Sequence, residues 1–139
     1  MSATTVTVAE QIASRLHALD YEGLADLYRP DALLDANVPQ WRFQLRGRDA
    51  IRQALLEEAA EHLRGCGRVS GWRVTRTGDG TVVELEVRFP EEAEERLWRE
   101  VHLFHTDGEA ITEHVIYCTG VWDADTIARQ ALETPMVAR

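Results

Sequence analysis

Cysteine is scarce in this chain, and the motifs that would give it chemistry are missing. Cys66 and Cys118 are the only two among 139 residues, and they fall in different elements. Disulfide scaffolds use dense, even sets of cysteines, so these two read as reduced thiols. No C-x-x-C and no H-E-x-x-H occurs, which removes a zinc site built from a local motif. A glycine-rich phosphate loop and a G-x-S-x-G elbow are also lacking, so neither a nucleotide nor a serine nucleophile has a local sequence basis. No apolar stretch approaches the roughly 20 residues that span a bilayer. The opening MSATTVTVAEQ has no positive region followed by an apolar run, the pattern of a secretory signal. Positive charge is in deficit too: the net charge is −9 and the pI about 5.0. Such a surface repels phosphate backbones and anionic lipid, which argues against nucleic acid and membrane as partners. The expectation is a cytoplasmic protein without cofactor or metal.

What is present fits one globular domain over residues 1–139, with 45% hydrophobic and 28% charged residues. Thr7-Val8-Ala9-Glu10 is a capping box, and Val8, Ile12, Leu16 and Leu19 follow at helical spacing. After a turn at Asp20 to Gly23, a second short helix carries Leu24, Leu27 and Tyr28 until Pro30 stops it. Ala32 to Val38 reads as a strand, and Pro39 to Leu45 as a loop with bulky residues. A third helix is expected from about Asp49 to Leu63, with Gly65 past its end. Two hairpins follow: Val69 to Thr77 with Thr81 to Phe89, then Leu97 to His105 with Ala110 to Thr119. Pro90 to Glu95 reads as an acidic, solvated connection. Asp123 caps a short terminal helix bearing Ile127, Ala131 and Leu132. Helices followed by an antiparallel run make an α+β chain, with the first strand as an edge.

The order within Asp20 to Ile51 resembles that of the nuclear transport factor 2-like superfamily, the SnoaL-like and ketosteroid-isomerase-like proteins. Two motifs carry the likeness: Leu45-Arg46-Gly47-Arg48-Asp49-Ala50-Ile51, and a last strand with Ile111, Glu113 and Tyr117. The resemblance implies a cone, a curved antiparallel sheet wrapped over three N-terminal helices around an interior pocket. It also implies that His114, Ile116 and Cys118 point inward while Tyr117 does not.

Alternation sorts the remaining strands. Val83, Leu85, Val87 and Phe89 must face the helices. In the next strand Leu97, Val101 and Leu103 share a face with Arg99 and His105; Trp98, Glu100, His102 and Phe104 take the other. The aliphatic set is expected to floor the pocket, which leaves Trp98, His102 and Phe104 on the outer face in need of cover by a homodimer partner.

Candidate chemistry follows from these faces. His114 suits general acid–base work near an ordinary pKa of about 6.5, against the alternative of a satisfied core histidine. His105 is a second histidine candidate at a strand end. Asn37-Val38-Pro39 resembles the Asn-x-Pro of limonene-epoxide-hydrolase-like members, where the asparagine helps to hold a catalytic water. In that register Asp35 is a buried carboxylate base; in the register counted from Asp31, Leu34 and Ala36 turn inward instead. In this second register Ala36 and Ile12 occupy the isomerase base and phenol positions. Trp41 can stack on a flat ligand at the mouth, and Arg42 can anchor a carboxylate. Arg99, Tyr28 and Cys118 complete the expected lining, with Cys118 as unreactive packing.

Two functions are compatible with this reading. One is a small cofactor-independent enzyme performing cyclisation, isomerisation, dehydration or hydration on a compact apolar molecule. The other is a non-catalytic module that binds a small ligand or lends its outer sheet face to a partner. They part on whether His114 and Asp35 reach a common point in one cavity.

Overall fold

Polar caps and apolar stripes set the helices first. In the computed structural model, which describes residues 6–60, 67–90 and 94–138, Thr7 accepts from the Glu10 amide and opens α1, Val8–His17. Its stripe buries Ile12 and Leu16 completely, each contributing about 1.5–3 kcal/mol on removal from water. Asp20 accepts from the Gly23 amide at 2.9 Å and caps α2, Tyr21–Ala25. The chain then enters β1, Tyr28–Val38, well before Pro30. Tyr28 is therefore a strand residue, where the sequence pointed to helix. Pro30 is tolerated because the register with β6 slips between Tyr28 and Leu33, so its missing amide interrupts no regular ladder there.

The segment expected as a loop is mostly strand. Pro39 and Gln40 form a tight turn, and β2, Trp41–Arg46, folds back on β1 with Val38 opposite Trp41 and Leu34 opposite Leu45. Gln40 has φ 59°, the conformation that hairpin turns usually give to Asn-Gly, so the usual turn signal was absent. Gly47 follows with φ 103°, which favours glycine, and its amide donates to the Ala32 carbonyl. It starts α3, Arg48–Glu58, which seats Ile51 and Leu55 in the core. The expected continuation to Leu63 and Gly65, as well as Cys66, falls outside the described residues, as do residues 91–93 of the acidic connection.

The sheet closes the opposite side. Its strands β3 (Arg68–Arg76), β4 (Gly80–Phe89), β5 (Arg96–Thr106) and β6 (Ile111–Cys118) extend the order to β2-β1-β6-β5-β4-β3. β1 runs parallel to β6 and every other neighbour pair is antiparallel, so the sheet is mixed. β1 lies inside it; β2 is the edge. A two-residue β7, Trp122–Asp123, pairs with the start of β5 and leads into α4, Ala124–Glu133, capped by Asp123. No residue of α4 is buried. The curved sheet over the helices is the α+β cone that the resemblance implied, with a mixed sheet in place of an antiparallel one.

One face assignment is reversed. Val83 pairs with His102, Leu85 with Glu100 and Val87 with Trp98, and directly opposed residues share a face. Trp98, Glu100, His102 and Phe104 thus point toward the helices, with Trp98, His102 and Phe104 buried. Val101 and Leu103 lie outside, half-buried, and do not floor the pocket. Apolarity misled here because both faces of this strand mix polar and apolar residues, and the inner one holds Glu100 and His102 beside Trp98 and Phe104. The reason for expecting a dimer over Trp98 and Phe104 disappears with it.

Candidate functional site

A cavity of about 90 Å³ lies between α2, α3 and the inner face of β1, β2, β5 and β6. Leu34, Ala36, Leu55 and Ile116 give it apolar walls, with Val38 and Phe43 also on its boundary. Five polar side chains line it: Glu58 with Tyr21, Glu100, His102 and Cys118. At roughly 30 Å³ for each water in the liquid, it holds about three waters or the reacting end of a small molecule.

Period two on β5 delivers the polar wall. Glu100 and His102 are alternate residues, so both side chains leave the same face. Trp98 Nε1 donates to Glu100 Oε1 at 2.7 Å, and His102 Nε2 stands 3.4 Å from Glu100 Oε2. The latter approach lacks hydrogen-bond alignment, so it is an electrostatic contact. The Glu100 side chain is 11% exposed and that of His102 is 1% exposed. Behind them the polar chain runs into the core. His102 Nδ1 is 2.8 Å from His114 Nε2, and His114 Nδ1 is 2.5 Å from the Tyr28 hydroxyl. Phe104 stacks on His114 with ring centres 4.0 Å apart, excluding water from that side.

Burial decides the protonation of this set. His114, fully enclosed, has a pKa far below the usual histidine value because desolvation penalises the imidazolium and His102 adds repulsion. Tyr28 is held well above the usual phenol value by burial, so it keeps its proton. Tyr21 is raised likewise, first by burial and then by the nearby Glu100 charge. The Cys118 thiol is pushed up to about 11, chiefly by burial, which leaves it an unreactive wall.

The expected site residues divide between the two faces. His114 points inward as expected, yet sits behind His102 and does not border the cavity. Leu34 pairs with His114 and Ala36 with Ile116, so β1 takes the register counted from Asp31. Asp35 and Asn37 consequently face outward. Asp35 receives Arg42 Nε at 2.9 Å, Arg42 Nη2 at 2.6 Å and Gln44 Nε2 at 3.2 Å, and Arg42 holds its carboxyl below the usual range. Asn37 Nδ2 donates to the Ile116 carbonyl, a strand-to-strand tie. Asp35 and His114 diverge and share no cavity. Arg99 and His105 are also outer-face residues, Arg99 3.7 Å from Glu86 and His105 3.3 Å from Asp79. Tyr28 lies in the core on His114. Trp41 shares the inner side of the β1–β2 hairpin with Phe43 but is 70% exposed at its tip.

Glu100, His102 and Tyr21 are the residues that the sequence reading missed. The signal was available as Trp98-x-Glu100-x-His102-x-Phe104, a polar pair bracketed by aromatics on one face. Among the described residues no group of three or more His, Cys, Asp or Glu is placed to hold a metal ion. No helix there is long and apolar enough to cross a membrane.

Comparisons with other proteins match this geometry at the level of fold. The SnoaL-like domain family matches residues 8–114. A nuclear transport factor 2-like protein of unknown function from Cytophaga hutchinsonii superposes with a TM-score of 0.63 at 14% identity, over 80% of this chain and 96% of its own. A SnoaL-like, polyketide-cyclase-like protein from Mesorhizobium loti gives 0.57 at 20% identity, over 79% and 95%. A ketosteroid-isomerase-like protein from Catenulispora acidiphila, solved with trimethylamine, gives 0.55 at 16%, over 91% and 93%. No curated protein matches the sequence significantly.

Proposed function

The chain belongs to the SnoaL-like domain family, and we propose that it is a cofactor-independent acid–base enzyme acting on a compact, largely apolar molecule. One observation carries the reading: a carboxylate, Glu100, and a phenol, Tyr21, face the same small apolar cavity. Asp35 and His114 were the pair whose divergence would favour the non-catalytic binding module, and they do part; the catalytic reading stands on Glu100 and Tyr21 alone.

The roles follow from charge. Glu100 accepts a proton from an acidic C–H of the bound molecule, and the electron pair moves onto an adjacent carbonyl oxygen. Tyr21, which burial keeps protonated, donates a hydrogen bond to that developing oxyanion. The proton on Glu100 then returns to another carbon for isomerisation, or leaves with a hydroxyl as water for dehydration. Trp98 holds the second carboxylate oxygen, which fixes the direction in which Glu100 presents its lone pairs.

A small ketone tests this without knowing the natural substrate. Wild-type protein should accelerate exchange of the α-protons of cyclopentanone in deuterium oxide, followed by proton NMR. Glu100→Gln should lower that rate by about 10²–10⁴-fold, the usual contribution of a positioned base, with the melting curve little changed. Equal rates in wild type and Glu100→Gln would refute the assignment.

A second reading, an outer face shared with another copy of this chain, has its own observation. Val82, Leu103 and Val115 form one cross-strand row and Val101 with Tyr117 the next, half-buried except for Tyr117 at 54% exposure. Light scattering at micromolar concentration should then give twice the chain mass, and Val101→Glu should give monomer. A wild-type monomer would end this reading.

A further inference from the structure

The geometry points to Tyr28 and His114 as positioning residues that hold His102 in its Nε2–H tautomer, so that His102 turns a proton toward Glu100 and not a lone pair. The inference rests on Glu100 being the pocket base and deepens that reading by saying which atom of His102 faces it.

The argument is a count of protons along one chain of buried atoms. Each neutral imidazole has one N–H and one acceptor nitrogen. Tyr28 keeps its hydroxyl proton, and His114 Nδ1 is the partner the structure gives that hydroxyl. If Tyr28 donates, Nδ1 of His114 is the acceptor and its proton sits on Nε2. That proton points at His102 Nδ1, 2.8 Å away, which must then accept. The remaining proton of His102 falls on Nε2, the atom 3.4 Å from Glu100 Oε2. Donors thus run in one direction, from Tyr28 through both rings toward the carboxylate.

The reverse arrangement fails on charge. With His102 Nδ1–H donating to His114 and His114 Nδ1–H donating to Tyr28, the unprotonated Nε2 of His102 faces a carboxylate, lone pair against negative charge. Each direction leaves one buried donor without an aligned acceptor, the Tyr28 hydroxyl in this one and His102 Nε2–H in the other, so that cost, about 1–3 kcal/mol in either case, does not separate them. A doubly protonated His114 is disfavoured by its complete burial. Neither ring nitrogen of His114 borders the cavity, so its part is exerted through His102 alone.

Nitrogen-15 labelling of histidine reads the tautomers directly by long-range proton–nitrogen correlation at pH 7.5. Both His102 and His114 should show the Nε2–H pattern, assigned by its loss in His102→Gln and His114→Gln. Tyr28→Phe removes the first donor while keeping the ring, so both histidines should leave the single Nε2–H state. The cyclopentanone exchange rate should fall on the order of tenfold, the low end of what losing a hydrogen-bond partner behind a metal-ligating histidine costs. A wild-type His102 or His114 with its proton on Nδ1 overturns the proposal, as does an unchanged tautomer pattern in Tyr28→Phe. Should Tyr28→Phe fail to fold, the wild-type pattern decides by itself. Ketone exchange absent from the wild type would remove the base role of Glu100, whereas the tautomer assignment stands or falls on the nitrogen spectra.

Discussion

Lowering the pH should destabilise this protein through His114 before any carboxylate titrates. The group is fully enclosed and its folded-state pKa is far below 6.5, because burial and His102 both oppose the cation. In the unfolded chain the same ring titrates near the ordinary value of about 6.5. Below that pH the unfolded state binds a proton that the native state refuses, so unfolding free energy falls as pH falls. The stabilisation is complete above about pH 6.5 and declines by about 1.4 kcal/mol per pH unit beneath it, until the depressed native pKa is reached. Between pH 7.5 and 5.0 the loss from His114 amounts to at most about 2 kcal/mol, the limit set by the unfolded value of about 6.5. The depressed carboxylates act lower: Asp35 and Asp107, the latter at about 2, withdraw their contribution only as pH falls below the ordinary value of 3.8. The window from 5.0 to 6.5 therefore lies above both of those carboxylates, and comparison with His114→Gln separates His114 from the other four histidines. Urea titrations of wild type and His114→Gln at both pH values measure it as a difference of differences. The variant will be weaker at pH 7.5, since His102 and Tyr28 lose ideal partners, but should lose less than wild type on going to pH 5.0, by up to about 2 kcal/mol. Parallel losses in the two proteins, with unchanged m-values, would refute the burial argument and the neutral tautomer chain built on it.

Three further outcomes are expected. Asp35→Asn should cost about 1–3 kcal/mol, because its carboxylate is 10% exposed and accepts three side-chain hydrogen bonds, yet leave ketone exchange untouched, because it lies on the outer face; a collapse of exchange would return Asp35 to the site. Gly47→Ala should destabilise by about 1–2 kcal/mol in urea unfolding, since its φ of 103° excludes an L side chain without strain, and a neutral or stabilising effect would contradict the turn geometry. In a Cys66→Ser background, Cys118 should react with a disulfide reagent far more slowly at pH 8 in the folded protein than in urea, because burial pushes its thiol up to about 11; equal rates would refute that environment.

The β5 strand shows where reading the sequence stops working. Its period-two pattern was plain, and so was the pairing of Leu97–His105 with its neighbours as a hairpin. Which face turned inward was not, because the aliphatic residues Val101 and Leu103 lie outside and the histidine and glutamate lie within. Hydrophobic sorting assumes that polar groups seek water, and it fails where a buried polar chain satisfies itself. The same limit governed β1. Both registers were on view in the sequence, and only the parallel pairing of Leu34 with His114 sent Asp35 outward to Arg42.

Local rules were enough for what is local. The Thr7 and Asp123 caps, the α1 stripe, the inward Val83-Leu85-Val87-Phe89 ladder and the glycine that opens α3 all follow from residues a few positions apart. With two short motifs they carried the resemblance that implied the cone, and the family match over residues 8–114 agrees with it. The site depended on contacts across long stretches of chain: Tyr28 meets His114 at a separation of 86 residues, and Tyr21 shares a cavity with Glu100. Side-chain direction along one strand is set by alternation, but its sign is set by the neighbouring strand. That sign came from packing the whole sheet against the helices, so tertiary structure alone decided which histidine and which carboxylate form the site.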